Sequence, residues 1–346
     1  MGGCGPPFLR LPLRFFDSIM EFLHASFLGY ALWLWLVFCG VVVTLLALDL
    51  GVLHREGGEI SVTESLWLSA GYIAVAVAFG GWLWWQVGPQ QGMDYFTAYA
   101  VEKSLSLDNV FVISLVFTAF AVPRALQHRV LFWGILGVIA LRALLIGAGA
   151  TLVQEFHGVL YLFAAFLIYT GIKMLWAADH APDPMRNPIL RLIRRVVPVT
   201  ERLHGKAFWV KQPDARGRVR RIATPLFMAL VTVELADLVF AVDSVPAVFA
   251  VTADPFVVYT SNIFAILGLR ALYFALAAIL YRFAYLKYAL ALVLVFIGGK
   301  IIAAELVGKI PSAISLSVTF GLLAAGVLFS LWKTRGAASE GRPAGG

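Results

Sequence analysis

Nine apolar runs of about twenty residues, separated by short polar stretches, leave this chain few options. A run of that length crosses the ~30 Å hydrocarbon core of a bilayer as a helix. No open sheet or irregular segment can satisfy its backbone groups there. The runs predict helices over about 31–53, 65–86, 95–121, 130–153, 158–177, 223–249, 257–280, 287–306 and 313–332. Composition agrees, with 61% apolar residues and only 14% charged, where soluble domains carry about 25%. The predicted fold class is an all-α polytopic membrane protein with about nine transmembrane helices.

The net charge of +7 could suggest nucleic acid as a partner, but its distribution argues against that. The basic residues gather in loops on alternating sides, which is a topology signal. The interval 178–222 alone holds eleven of them, Arg186 to Arg221, and is assigned to the cytoplasm. Loops 122–129 (Arg124, Arg129) and 281–287 (Arg282, Lys287) fall on the same side, as does the tail from Lys333. Loops 87–94, 154–157 and 250–256 carry no Lys or Arg and fall outside. This places the N-terminus outside and the C-terminus in the cytoplasm, with Arg10 and Arg14 mildly against the rule.

Cys4 and Cys39 support neither a disulfide framework nor a thiolate metal site. The N-terminus lacks the Ser or Thr that myristoylation needs at position 6, and no apolar run precedes Cys4, so no cleavable signal peptide is expected. His24, His54, His128, His157, His180 and His204 lie at span ends or in loops and are assigned no role. No nucleophile–base arrangement is present, so the chain is not expected to be an enzyme. Trp82, Trp84 and Trp85 read as an interfacial belt.

Two stretches break the apolar pattern: Glu102-Lys-Ser-Leu-Ser-Leu-Asp108-Asn109 and Glu234-Leu-Ala-Asp237-Leu-Val-Phe-Ala-Val-Asp243-Ser244-Val-Pro246. An acid at the bilayer centre costs about 2.5–3.5 kcal/mol on insertion scales, so five of them require a reason. Neutralising buried arginines is one: Arg142 and Arg270 sit mid-span and can pair with acids bidentately. The count leaves more to explain. With Asp49 near the end of the first span, and with Arg142, Arg270 and Lys300 as counter-charges, an excess of about three negative charges remains. Such an excess in low dielectric binds protons or a cation.

At 100° per residue, Glu102 and Asn109 share a face, with Asp108 offset by about 120°. Glu234 and Asp237 lie about 60° apart, whereas Glu234 and Asp243 point in opposite directions. These acids cannot all ligate one ion from an unbroken helix. Pro246 offers an exit, since its missing N–H frees the Val242 carbonyl. The available ligands are all oxygens: carboxylates, the Asn109 amide, the Ser104, Ser106 and Ser244 hydroxyls and backbone carbonyls. Such a set suits Mg²⁺, Ca²⁺ or Mn²⁺.

The sequence also echoes itself. Ile135-Leu-Gly…Ala-Leu-Arg142-Ala-Leu resembles Ile266-Leu-Gly-Leu-Arg270-Ala-Leu, and Gly171-Ile-Lys173 resembles Gly299-Lys300. Asp108 to Arg142 is 34 positions and Asp237 to Arg270 is 33. Chance likeness among apolar segments would not preserve the Asp and the Arg. Each unit, 95–177 and 223–306, has three spans, so the second enters the membrane from the opposite side. The expectation is a 3+3 inverted-topology repeat. An N-terminal extension (1–30), two leading spans (31–94), the basic loop (178–222) and a last span with its tail (307–346) complete the organisation.

The stretch 102–112, His128-Arg-Val-Leu-Phe-Trp-Gly-Ile-Leu-Gly, Ala236-Asp-Leu-Val-Phe-Ala-Val-Asp-Ser-Val-Pro and Thr260-Ser-Asn-Ile-Phe-Ala-Ile-Leu-Gly-Leu-Arg-Ala-Leu resemble the integral membrane TerC/Alx family, over roughly residues 30–335. The family takes its name from tellurite-resistance operons. Its members are associated with Mn²⁺ efflux and with metal supply to exported proteins. The resemblance implies an inner-membrane Mn²⁺ exporter. Asp108, Asp237 and Asp243 would be ligands, and Glu102, Glu234 and Asn109 would ligate or carry protons. Asp49, Ser244 and Pro246 would line the path, with Asp49 as inner gate. No permanently bound cofactor is expected, and an acid-lined path repels an oxyanion such as tellurite. Two alternatives stand beside this: a metal-delivery or assembly factor that binds partner proteins through 178–222, and an exporter of cationic amino acids.

Overall fold

The computed structural model describes residues 20–53, 62–156, 158–176, 197–200, 202–213, 219–276, 285–308 and 310–334. The stretch Ile189 to Val197 of the basic interval, whose sequence could form an interfacial helix, falls almost wholly outside them. The chain forms two compact units, Met1–Arg55 and Glu56–Gly346. The first holds a short hairpin, β1 (Ser26–Phe27) with β2 (Tyr30–Ala31), and helix α1 (Leu32–Leu53). The hairpin turns on Leu28 and Gly29, both at positive φ, as a two-residue turn that follows strand twist requires.

The second unit is a helical bundle: α2 (Val62–Gln86), α3 (Pro89–Ala119), α4 (Arg124–Glu155), α5 (Val159–Trp176), α6 (Pro225–Val251), α7 (Pro255–Leu267), α8 (Leu269–Leu276), α9 (Leu286–Val307) and α10 (Ser312–Thr334). Eight helical segments among the described residues are long and apolar enough to cross a membrane, α7 and α8 together making one of them. The remaining predicted span is α3. Its 31 residues have the length, but Asp94, Glu102, Lys103 and Asp108 dilute its hydropathy. The protein is an all-α polytopic membrane protein.

Helix starts follow local chemistry. Thr224 caps α6, accepting a hydrogen bond from the Phe227 amide, and Pro225 follows at N1. Asp254 caps α7 by accepting from the Phe256 and Val257 amides at 3.0 and 3.2 Å, again with Pro at N1. Proline at N1 removes an amide that would have no partner.

The packing is reciprocal in the way an inverted repeat requires. The first helix of each repeat lies against the second helix of the other: α3 against α7, and α4 against α6. The third helices, α5 and α9, pack on each other through glycines. A Cβ on Gly171 would stand 2.7 Å from the Ala291 carbonyl oxygen, and one on Gly298 would stand 2.6 Å from that of Ala164. Gly171 and Gly298 are therefore the equivalent pair, one residue from the Gly299 match expected from sequence. Small residues at such crossings let backbones approach when no hydrophobic force separates helix from lipid.

Two further departures from expectation matter. The helix that carries Pro246 runs continuously from Pro225 to Val251, so the proline does not open it. The interruption falls instead at Gly268, between α7 and α8. The basic interval is also partly folded: β3 (Trp209–Pro213) pairs antiparallel with β4 (Val219–Ala223). The hairpin is pinned to the start of α6, where the Thr224 hydroxyl donates to the Ala207 carbonyl at 2.8 Å. It is also pinned to α4, where the Arg129 guanidinium lies over the Phe208 ring at 5.2 Å.

Candidate functional site

Midway along four helices, two from each repeat, one guanidinium collects the polar side chains. Arg142 of α4 is 1% exposed. It donates to both oxygens of Asp237 in α6, from Nη2 at 3.1 Å and from Nε at 3.3 Å. This is the bidentate fork that makes Arg–carboxylate pairs strong and directional. Nη1 donates to Glu102 of α3, to the Ser244 hydroxyl at 3.0 Å and to the Asn262 carbonyl oxygen of α7 at 3.2 Å. The Asn109 amide donates to Asp237 Oδ1 at 3.2 Å. Glu102 and Asn109 thus meet the same centre from two turns apart, as seven residues of helix dictate.

The cluster carries two carboxylates against one guanidinium, all close to fully buried. Its hydrogen bonding is incomplete. Among the described residues, Glu102 Oε2 and Asn262 Nδ2 are buried with no hydrogen-bond partner. A buried carboxylate oxygen left without a donor is costly, and a proton or a cation is what relieves it.

The remaining sequence candidates lie around this centre. Asp108 and Asp243 belong to α3 and α6, and their side chains are outside the described part of the structure. Glu234, one turn before Asp237, is turned to the α4 interface and rests on Gly137. Among the described residues no hydrogen bond or ion pair joins it to the Arg142 cluster, since its carboxylate is received by Gly137 of α4 instead. Arg270 is 3% exposed at the start of α8. Lys300 is half-buried on α9. Asp49 lies near the end of α1, in the N-terminal unit. Pro246 sits inside α6, two residues past Ser244. Among the described residues, no three of His, Cys, Asp and Glu converge as a ready-made metal cage.

Sequence reasoning passed over Lys103, Asp94 and Asn262. Lys103 stands beside Glu102 but about 100° around the helix, and its ammonium donates to the Ala265 carbonyl at 3.1 Å. Asp94 falls inside α3 because that helix begins earlier than its hydropathy suggests. It accepts from Gln90, whose amide also donates to Ser312 at 2.5 Å. The two ionisable residues offset each other, so the excess of negative charge stays near three. Asn262 was legible only as part of Thr260-Ser-Asn; three consecutive polar residues inside an apolar run were the signal.

A membrane-embedded bundle built from two interlocked three-helix units, with a charged centre shared between them, defines a polytopic membrane protein with an intramembrane polar site. The chain belongs to the integral membrane protein TerC family, whose model matches residues 87–338. It is 46% identical over 302 residues to an uncharacterized membrane protein of Myxococcus xanthus, covering 87% of this chain and 93% of that one. It is 42% identical over 308 residues to Alx of Escherichia coli K12, named as a proposed membrane-bound redox modulator, covering 86% and 94% respectively. No solved structure matches.

Proposed function

We propose that this protein is an inner-membrane transporter that exports a hard divalent cation, Mn²⁺, through the acidic centre shared by its two repeats. The observation that carries the reading is the Arg142 cluster. Carboxylates from opposite repeats, Glu102 and Asp237, are held on one buried guanidinium, with Glu102 Oε2 lacking a donor. A structural ion pair would not need a second carboxylate. Transporters of inverted-repeat design place their ion site at this repeat interface near the midplane.

In this reading Asp108, Asp237 and Asp243 ligate the metal. Glu102 and Asn109 complete the oxygen shell or hold protons, Glu234 carries protons one turn away, and Asp49 guards the cytoplasmic mouth. Oxygen donors favour Mn²⁺ over softer metals. Arg142 acts as the resident counter-charge: it keeps Glu102 and Asp237 together when the site lacks metal, and it yields Asp237 when a dication arrives. Protons entering from outside then neutralise the acids and free the metal. The basic loop side faces the cytoplasm, as short loops rich in Lys and Arg do.

The test is total cellular manganese, measured by elemental mass spectrometry in a Mn²⁺-sensitive host lacking its own exporters. Wild type lowers cellular manganese and restores tolerance. Asp243→Ala and Asp237→Asn, confirmed in the membrane, do neither. Manganese that stays unchanged with wild type in the membrane, or falls equally with both variants, overturns the assignment.

A further inference from the structure

Between Arg202 and Ala223 the sequence holds seven Lys and Arg residues and one acid, Asp214. Part of this stretch is the β3–β4 hairpin, in which Lys211 pairs directly with Arg221. Like charges placed opposite each other on two strands repel, because their Cβ atoms stand only about 5 Å apart. Lys211 and Arg221 are both exposed, and among the described residues neither forms an ion pair with an acid. A repelling pair that finds no acid in the fold calls for an anion from outside it.

Side chains alternate between the faces of a strand, so Trp209, Lys211, Val219 and Arg221 share one face of the hairpin. Val210, Gln212, Arg220 and Ile222 share the other. That second face is turned to the fold: Val210, Gln212 and Ile222 are half-buried, and Gln212 Nε2 lies 3.3 Å from His204 Nε2. The first face is open, with Trp209 45% and Val219 68% exposed. Its direction is set by Trp209, whose ring rests on that of Phe227 with centroids 4.5 Å apart. Phe227 lies in the first turn of α6, which is apolar enough to cross the membrane from Pro225 to Val251. The open face is therefore turned to the level at which a span leaves the headgroups, the place where Trp is favoured. The hairpin is held in this pose by a third segment: the Thr200 amide donates to the Ala223 carbonyl at 2.9 Å, and the Ala223 amide to the Pro198 carbonyl at 3.0 Å.

We propose that this face binds anionic phospholipid headgroups, with a phosphate set between Lys211 and Arg221 and the Trp209 ring at the interface beside them. The phosphate cancels the repulsion of the pair, and each basic residue held at an anionic surface raises affinity about fivefold. A zwitterionic headgroup offers the same phosphate but brings an ammonium that the pair repels. A soluble acidic partner suits the charge but not the place, since the level of Phe227 is filled by lipid. The hairpin also touches Arg129 of α4 and is tied to α6 through Thr224. Lipid bound here thus steadies the cytoplasmic ends of the two helices that carry Arg142 and Asp237. The inference rests on α6 crossing the membrane and is independent of the ion that the Arg142 centre takes.

The test uses the full chain in non-ionic detergent, with Cys4→Ser and Cys39→Ser, and with Val219→Cys carrying an environment-sensitive fluorophore at the exposed end of the hairpin. Titration with a short-chain phosphatidylglycerol shifts the emission saturably. Phosphatidylcholine of the same chains and inorganic phosphate do not. Lys211→Gln with Arg221→Gln weakens the binding about thirtyfold, about fivefold for each charge. Arg220→Gln removes a charge from the opposite face and leaves the affinity near that of wild type. No shift with phosphatidylglycerol, an equal shift with phosphatidylcholine, undiminished binding by the double variant, or Arg220→Gln as costly as Arg221→Gln overturns the proposal. So does displacement of the lipid by a poly-glutamate peptide, which would make the face a docking site for an acidic protein.

Discussion

Replacing Arg142 by Met is the most informative single change in the bundle. The side chain makes five hydrogen bonds in the structure, three of them to the two carboxylates. Met keeps the approximate volume and removes every donor, leaving Glu102 and Asp237 buried without their counter-charge. Breaking a buried pair by removing one partner costs about 3–5 kcal/mol. Two carboxylates share this one partner, and protonation of one limits the loss, so about 4 kcal/mol is the expected destabilisation. At about 2 °C per kcal/mol for a chain of this size, the Tm in detergent falls by about 8 °C. Arg142→Lys keeps a charge but cannot fork onto Asp237, and loses about 1.5–3 kcal/mol, the range for a hydrogen bond to a charged group. The deciding variant is the triple change Arg142→Met with Glu102→Gln and Asp237→Asn. A neutral cluster of similar shape recovers most of the loss, because replacing a whole buried ion network is often close to neutral. If the triple variant is as unstable as Arg142→Met alone, uncompensated charge is not what the arginine cancels, and the electrostatic account of the centre fails.

Two other perturbations probe the frame around the site. Gly171→Ala and Gly298→Ala each force α5 and α9 apart against a backbone carbonyl, at about 1–3 kcal/mol. Reciprocal packing requires similar drops in Tm for both, and a neutral result for either one contradicts it. Asp254→Ala removes the cap that serves two amides at the start of α7 and costs about 1 kcal/mol, read as a shift in the thermal melt; Asp254→Asn retains most of that stability, and a loss equal to that of Ala would refute capping as the residue's role.

The site was only half legible in the sequence. Glu102, Asp237 and Arg142 stood out because charge in an apolar run is expensive, and the seven-residue spacing of Glu102 and Asn109 already put them on one face. Lys103 was hidden by that reasoning: it sits next to Glu102 in the chain, yet projects toward another helix. Glu234 shows the opposite problem. Its helical angle to Asp237 suggested a shared site, but the glycine that receives it, Gly137, lies on α4, and helical angle alone cannot say which neighbour a face will meet. The boundary of α3 also misled, because hydropathy starts the span at residue 95 while the helix begins at Pro89. That earlier start is what brings Asp94 into the bundle, where Gln90 donates to it and also reaches Ser312 of α10.

By itself the sequence determined the class of the fold, an all-α polytopic membrane protein, and it pointed to about nine spans and a repeated unit where eight segments among the described residues qualify by length and hydropathy. Those follow from local quantities: run length against bilayer thickness, loop charge, and residues recurring at matched intervals. The tertiary structure alone decided which charges meet. Glu102, Arg142 and Asp237 come from three helices separated by 40 and 95 positions, and their convergence depends on which glycines let helices close and where a helix breaks. The sequence placed that break near Pro246, whereas the packed bundle carries it at Gly268. A proline's missing amide only permits a helix to open; the contacts on either side determine whether it does.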